Sequence, residues 1–191
     1  MTKTTAITLL VLAEIAGMAV WFASSAVLAD MSQETAITPF AQALLSSGVQ
    51  AGFAGGALIY ASLGLADRFD PRHVFAASAL AAAACNGILL IAPIGGSIAI
   101  TARILTGMFL AGVYPVGMKI AVGWGTHDRG LLVGLLVGAL TLGSAAPHLF
   151  SFLGGTQWRL AVAAASIVAA CLLYTSPSPR DLSTSRMPSS A

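Results

Sequence analysis

Apolar stretches of roughly 20 residues follow one another along nearly the whole chain, and no other feature constrains its fold as tightly. A helix rises about 1.5 Å per residue, so about 20 apolar residues cross a hydrocarbon core of about 30 Å. Between charged or turn-rich breaks, such runs lie at 6 to 28, 42 to 64, 74 to 95, 97 to 121 and 130 to 153, and a further one begins at Leu160. Charged residues are 8% of the 191 and apolar ones 57%, with a mean hydropathy of +0.88. A typical soluble domain carries about 25% charged residues. So few charges cannot coat a surface that faces water, and the expected fold is an all-α polytopic membrane protein whose main surrounding partner is the lipid bilayer.

Several other classes drop out. The formal charge of +2 comes from basic and acidic residues scattered singly, without the basic run that tracks a phosphate backbone, so no nucleic-acid partner is expected. Cys85 and Cys171 form no CxxC pair and no Cys/His cluster, which points to no disulfide framework, no metal and no cofactor. Neither a Gly-x-Ser-x-Gly elbow nor a His-Glu-x-x-His motif is present, and an enzyme is not expected. Lys3 before an apolar run could suggest a signal peptide. The run from Ala6 to Leu28 is too long for that and contains Glu14, so it reads as the first span.

Short breaks set the pairing. The segment 92–97, Ala-Pro-Ile-Gly-Gly-Ser, predicts a tight antiparallel pair of spans three and four, and 154–159 predicts another between five and six. Lys3, Arg68, Arg72, Lys119 and Arg129 all fall on one side of the membrane. The other side carries Asp30, Glu34 and one arginine, Arg159. The excess of basic residues predicts a cytoplasmic N-terminus and cytoplasmic loops at 65–73 and 122–130 in a plasma (inner) membrane.

The loop after span two reads Leu63-Gly-Leu-Ala-Asp67-Arg68-Phe-Asp-Pro-Arg72-His73. A carboxylate beside arginines at a helix end can form charge pairs that latch neighbouring helices in one state, with Asp67 as the acid and Arg68 and Arg72 as partners or lipid-headgroup contacts. Span four contains Arg103, Gly107, Ala111, Tyr114 and Met118 on one helical face. An arginine in a span costs at least about 2.5 kcal/mol at the midplane, so Arg103 either faces a polar path or snorkels to the interface. Glu14 shares a face with Met18, Trp21 and Ser25, and is either a proton carrier or counter-charge, or a structural partner of an arginine.

Span five carries Gly130, Gly134, Gly138 and Gly143 before Pro147 and His148. Its small-residue ladder suggests close helix packing, with Pro147 bending the helix end and Gly107 and Gly112 playing the same packing part in span four. His148 either couples to protons or is an interfacial hydrogen-bonding residue, and Gln50 is a possible polar contact on the path. The pair Trp158-Arg159 reads as an interfacial anchor before span six.

Taken in order, the Asp-Arg loop after span two, the arginine-then-glycine of span four and the Trp-Arg pair before span six resemble the N-terminal half of a transporter of the major facilitator superfamily. The loop departs from that pattern where Asp70 and Pro71 stand in place of a glycine and a basic residue. The resemblance implies twelve spans in two six-helix halves, with a small solute bound between the halves and carried by alternating access, coupled to a proton or ion. It further implies that Glu14, Trp21, Gln50, Arg103, Tyr114 and His148 line the path, and that a C-terminal half of the same protein completes it. The identity of the solute, the direction of transport and the coupling ion do not follow. A non-transporting scaffold or lipid-binding subunit is the competing reading of the same spans.

The last stretch has a different character. Cys171 onward reads Cys-Leu-Leu-Tyr-Thr-Ser-Pro-Ser-Pro-Arg-Asp, which interrupts the sixth helix about eleven residues after Leu160, too soon to span. The string resembles a translated sequencing-adapter frame. On that reading residues 1–170 are a partial N-terminal transmembrane domain with the sixth span (160–170) truncated, and residues 171–191 are a non-native tail.

Overall fold

The computed structural model describes residues 3–125, 127–154 and 157–174, and every regular element among them is helical. In chain order these are α1 (Lys3–Glu34), α2 (Pro39–Leu63), the single turn α3 (Leu65–Arg68), α4 (Pro71–Gly87) with a 3-10 extension over Ile88–Leu90, α5 (Ser97–Leu110), α6 (Tyr114–Trp124), α7 (Arg129–Gly154) and α8 (Trp158–Tyr174). Five helical stretches are long and apolar enough to cross a membrane: Lys3–Glu34, Pro39–Leu63, Pro71–Leu90, Ser97–Trp124 and Arg129–Leu149. Helix α8 follows as a shorter apolar helix.

Local sequence sets the ends. Thr38 caps α2 by accepting from the Ala41 amide at 3.3 Å, and Asp70 caps α4 by accepting from the Arg72 amide at 2.9 Å, each followed by a proline at the first helical position. Gly64 ends α2 in the left-handed region at φ 59°, where a side chain would be strained, and its amide returns to the α2 carbonyls. The helix turns there without leaving its last carbonyls bare.

Span four differs from the sequence expectation of one helix over 97 to 121. It is two helices, α5 and α6, separated at residues 111–113. Pro115 lacks the N–H that would bond the Ala111 carbonyl, and the Gly112 and Val113 amides instead make shorter-range bonds to Phe109 and Leu110. Span three ends earlier than 95, because Pro93 and the left-handed Gly95 (φ 73°) belong to the turn into α5. The sixth helix runs through Tyr174, past residue 170. Of the tail assigned to 171–191, residues 175–191 lie outside the described residues.

Helix α1 lies at the centre. It packs against α7, α8, α2, α6 and α4, and its buried face includes Leu10, Met18, Val20, Val27 and Met31. Helices α2 and α5 pack together along a long seam. A Cβ on Gly52 would overlap the Ile104 carbonyl oxygen and one on Gly56 the Met108 carbonyl oxygen, while a Cβ on Gly107 would overlap the Val49 carbonyl oxygen. Backbone meets backbone along this seam, which hydrogen replaces side chains to allow.

Charge pairs tie the two ends of the bundle. At one end Lys3 binds Asp128 at 2.7 Å, and Lys119 pairs with Asp67. At the opposite end Arg159 binds Glu34 at 2.6 Å.

Candidate functional site

Met18, Trp21 and Phe22 of α1, Phe53 of α2, Tyr114 of α6 and, from α7, Leu140, Thr141 and Ser144 line a half-open cavity of about 390 Å³. These positions fall near the middle of α1, α2 and α7, so the cavity sits at mid-depth of the bundle. Trp21 and Phe53 stack at 4.8 Å between ring centroids with a 59° tilt, and Trp21 and Phe22 lie at 6.2 Å. Tyr114 reaches this wall because the break at 111–113 ends α5 and starts α6 there.

Glu14 lies four residues, about 6 Å along the helix, before Met18. It is fully buried, and its Oε1 lies against Gly117 so closely that a Cβ there would overlap it. A Cβ at Gly117 would also come within 3.1 Å of Phe75 Cε2. Neither carboxylate oxygen has a hydrogen-bond partner among the described residues. A lone charged carboxylate at this depth is expensive, and burial without a partner favours the protonated, neutral form.

Arg103 is also fully buried, and its surroundings are different. Nη1 donates to the Val20 carbonyl at 3.1 Å and to Asn86 Oδ1 at 2.8 Å, and Nη2 donates to the Trp21 carbonyl at 2.5 Å. Asn86 Nδ2 passes the chain on to Ser166 Oγ at 2.9 Å. One guanidinium therefore joins α1, α4, α5 and, through Asn86, α8. Its long side chain does not snorkel outward. It turns inward behind Trp21 and does not line the cavity.

The other residues singled out by sequence separate into groups. Trp21 and Tyr114 line the cavity together. Glu14 and Arg103 sit in the protein behind its wall. Gln50 and His148 are exposed, and neither lines the cavity. Gly107, Gly112 and Gly143 are buried against neighbours: Ser78 and Tyr60 for Gly112, Met18 and Ile15 for Gly143. Gly134 and Gly138 meet nothing within 4 Å, so the regular ladder of span five faces open space among the described residues. Pro147 lies inside α7 and is buried. Asp67 pairs with Lys119 of α6, whose Nζ also donates to the Ala66 carbonyl at 2.6 Å, whereas the loop's sequence pointed to Arg68 and Arg72; Arg68 is exposed and Arg72 buried.

Sequence reasoning missed several residues that the geometry brings forward. Phe53, Thr141 and Ser144 share the cavity, yet no motif marks them. Asn86, the acceptor for Arg103, was visible as a lone amide in an apolar span. Gly48, Gly52 and Gly56 were visible as glycines four residues apart in span two. No group of three or more His, Cys, Asp or Glu residues able to hold a metal occurs among the described residues.

Compared with known protein families, residues 9–188 match the Major Facilitator Superfamily, a match that runs into the 171–191 stretch. A search of curated proteins gives no match.

Proposed function

The chain belongs to the Major Facilitator Superfamily, whose members are membrane transporters rather than enzymes, and it is a multi-pass membrane protein; from that premise we propose that it forms the N-terminal six-helix half of a proton-coupled secondary transporter. The observation that carries the proposal is a mid-depth cavity with, one helical turn below it, a buried carboxylate that has no hydrogen-bond partner among the described residues.

In this reading a small solute occupies the cavity between the present helices and a second six-helix half of the same protein. The halves rock so that the cavity opens to one side and then the other. Glu14 holds its proton while closed off among α1, α4 and α6, and exchanges it with water when rocking admits water past Gly117. Arg103 holds the cavity wall in shape by fixing the backbone at Val20 and Trp21. Asp67 and Lys119 latch α3 to α6 at the end where Lys3, Arg68, Arg72 and Arg129 also gather, a distribution that supports a cytoplasmic N-terminus in a plasma (inner) membrane.

The test is proton movement. The chain, together with the second half as read from the native gene, is placed in liposomes loaded with a pH-sensitive dye and exposed to a panel of small solutes. At least one solute should move protons in the wild type, and Glu14→Gln should stop that movement while leaving solute binding intact. Proton movement unchanged in Glu14→Gln removes the assigned role.

A further inference from the structure

We propose that the cavity wall built by this chain selects solutes that carry an aromatic ring and no negative charge. The inference rests on the reading of the cavity as the solute site. Four of its eight lining side chains are aromatic, and Trp21 and Phe53 already form a tilted pair to which a further ring can add by edge or face.

The polar groups of the wall point the same way. Thr141 Oγ1 donates to the Val137 carbonyl at 3.2 Å and Ser144 Oγ donates to the Thr141 carbonyl at 2.7 Å. Each hydroxyl has thus spent its one hydrogen on its own helix and presents lone pairs to the cavity. Lone pairs and ring faces attract N–H, O–H and ammonium groups and repel a carboxylate.

The positive charge that an anion would need is placed elsewhere. Both terminal nitrogens of Arg103 are directed at Val20, Trp21 and Asn86, and the residue is absent from the cavity lining. Among the described residues, the wall offers an anion no cationic side chain, and its donors, the Tyr114 hydroxyl and the Trp21 indole N–H, are neutral. Moving a carboxylate out of water against this surface leaves its charge uncompensated. In sequence, Arg103 and Tyr114 share one stripe of span four, and the charge of the solute stays open. The structure separates the two residues, placing Tyr114 at the cavity and Arg103 behind it.

Three probes with one ring system separate the possibilities: 2-naphthylmethanol, 2-naphthylmethylammonium and 2-naphthoate. Each is dialysed to equilibrium against the chain together with its second six-helix half in lipid nanodiscs, with uptake by empty nanodiscs subtracted. The alcohol and the ammonium should bind saturably, and the carboxylate at least tenfold more weakly. Trp21→Ala and Phe53→Ala should each weaken binding by about fivefold or more, while Ile91→Ala, on an exposed turn, leaves it unchanged. Thr141→Val, at an exposed position that folding tolerates, should weaken the ammonium more than the alcohol. Saturable 2-naphthoate binding as tight as the others and sensitive to Trp21→Ala overturns the solute class while keeping the cavity as the solute site. Absence of saturable binding by all three probes overturns the aromatic selectivity, and the proton-movement assay then judges the transporter reading separately.

Discussion

Replacing Gly52 by alanine places one methyl group where α2 and α5 touch. The new Cβ would lie 2.8 Å from the Ile104 carbonyl carbon and 3.1 Å from its Cα, and would overlap the carbonyl oxygen. Carbon atoms rest at about 3.5–4.0 Å, so the two backbones must part by roughly 1 Å. A gap of that size forfeits about a quarter to a half of the attraction at each contact along the seam. Overpacking of this kind costs about 1–3 kcal/mol, and alanine's better helix propensity returns up to about 1 kcal/mol. At the middle of the overpacking range the net loss is about 1–2 kcal/mol, which corresponds to a fall of about 2–8 °C in the melting midpoint for a chain of this size. Thermal unfolding in detergent, followed by circular dichroism, measures it. Gly55 is three residues away on the same helix, and a Cβ there meets nothing within 4 Å, so Gly55→Ala is the matched control and should be neutral or slightly stabilising. Equal midpoints for Gly52→Ala and Gly55→Ala would refute the claim that backbone contact holds α2 to α5.

Other variants test separate contacts. Gly134→Ala and Gly138→Ala, at open positions on α7, should be neutral or slightly stabilising, in contrast to Gly143→Ala, whose Cβ would lie 2.5 Å from Met18 Cβ and which should lower the melting midpoint. Arg103→Lys should destabilise by about 1–3 kcal/mol in the same assay, because a single ammonium cannot satisfy Val20, Trp21 and Asn86 in the planar fork that a guanidinium supplies. Asp67→Asn should change stability by less than about 1 kcal/mol, since its pair with Lys119 is exposed, and should alter transport rate instead. Glu34→Gln weakens the acceptor shared by Trp158 Nε1 and Arg159, and a red shift in Trp158 fluorescence should report the loosened junction of α1 and α8.

The spans were legible because lipid imposes a length and a composition on any helix that crosses it, and Pro39, Pro71 and Gly64 mark where helices start and stop. The break in span four was equally written in Gly112 and Pro115, although the apolar run continues through them. Side-chain direction was harder. Periodicity placed Arg103 and Tyr114 on one helical face, but the interruption between them ends that shared face, and only Tyr114 meets the cavity. Of the glycines spaced along α7, Gly143 meets the α1 backbone at Ile15 while Gly134 and Gly138 meet nothing within 4 Å among the described residues, and backbones also approach closely where α2 lies against α5. A glycine in sequence shows where close approach is permitted, and the fold decides which of these places another helix occupies. Partners distant in sequence, such as Asn86 for Arg103 and Lys119 for Asp67, depend on helix order in space and carry no local signature.

The central claim, that the cavity is part of a water-accessible solute path and not a dry packing defect in a scaffold, is tested most directly by cysteine accessibility. With Cys85 and Cys171 replaced by serine, Ser144→Cys and Phe53→Cys on the cavity wall are compared with Leu80→Cys on the exposed apolar face of α4, in native membranes treated with a membrane-impermeant methanethiosulfonate. The account predicts rapid modification at residues 53 and 144 and none at residue 80. Failure of both cavity positions to react, with the same protein shown to be folded, would contradict it.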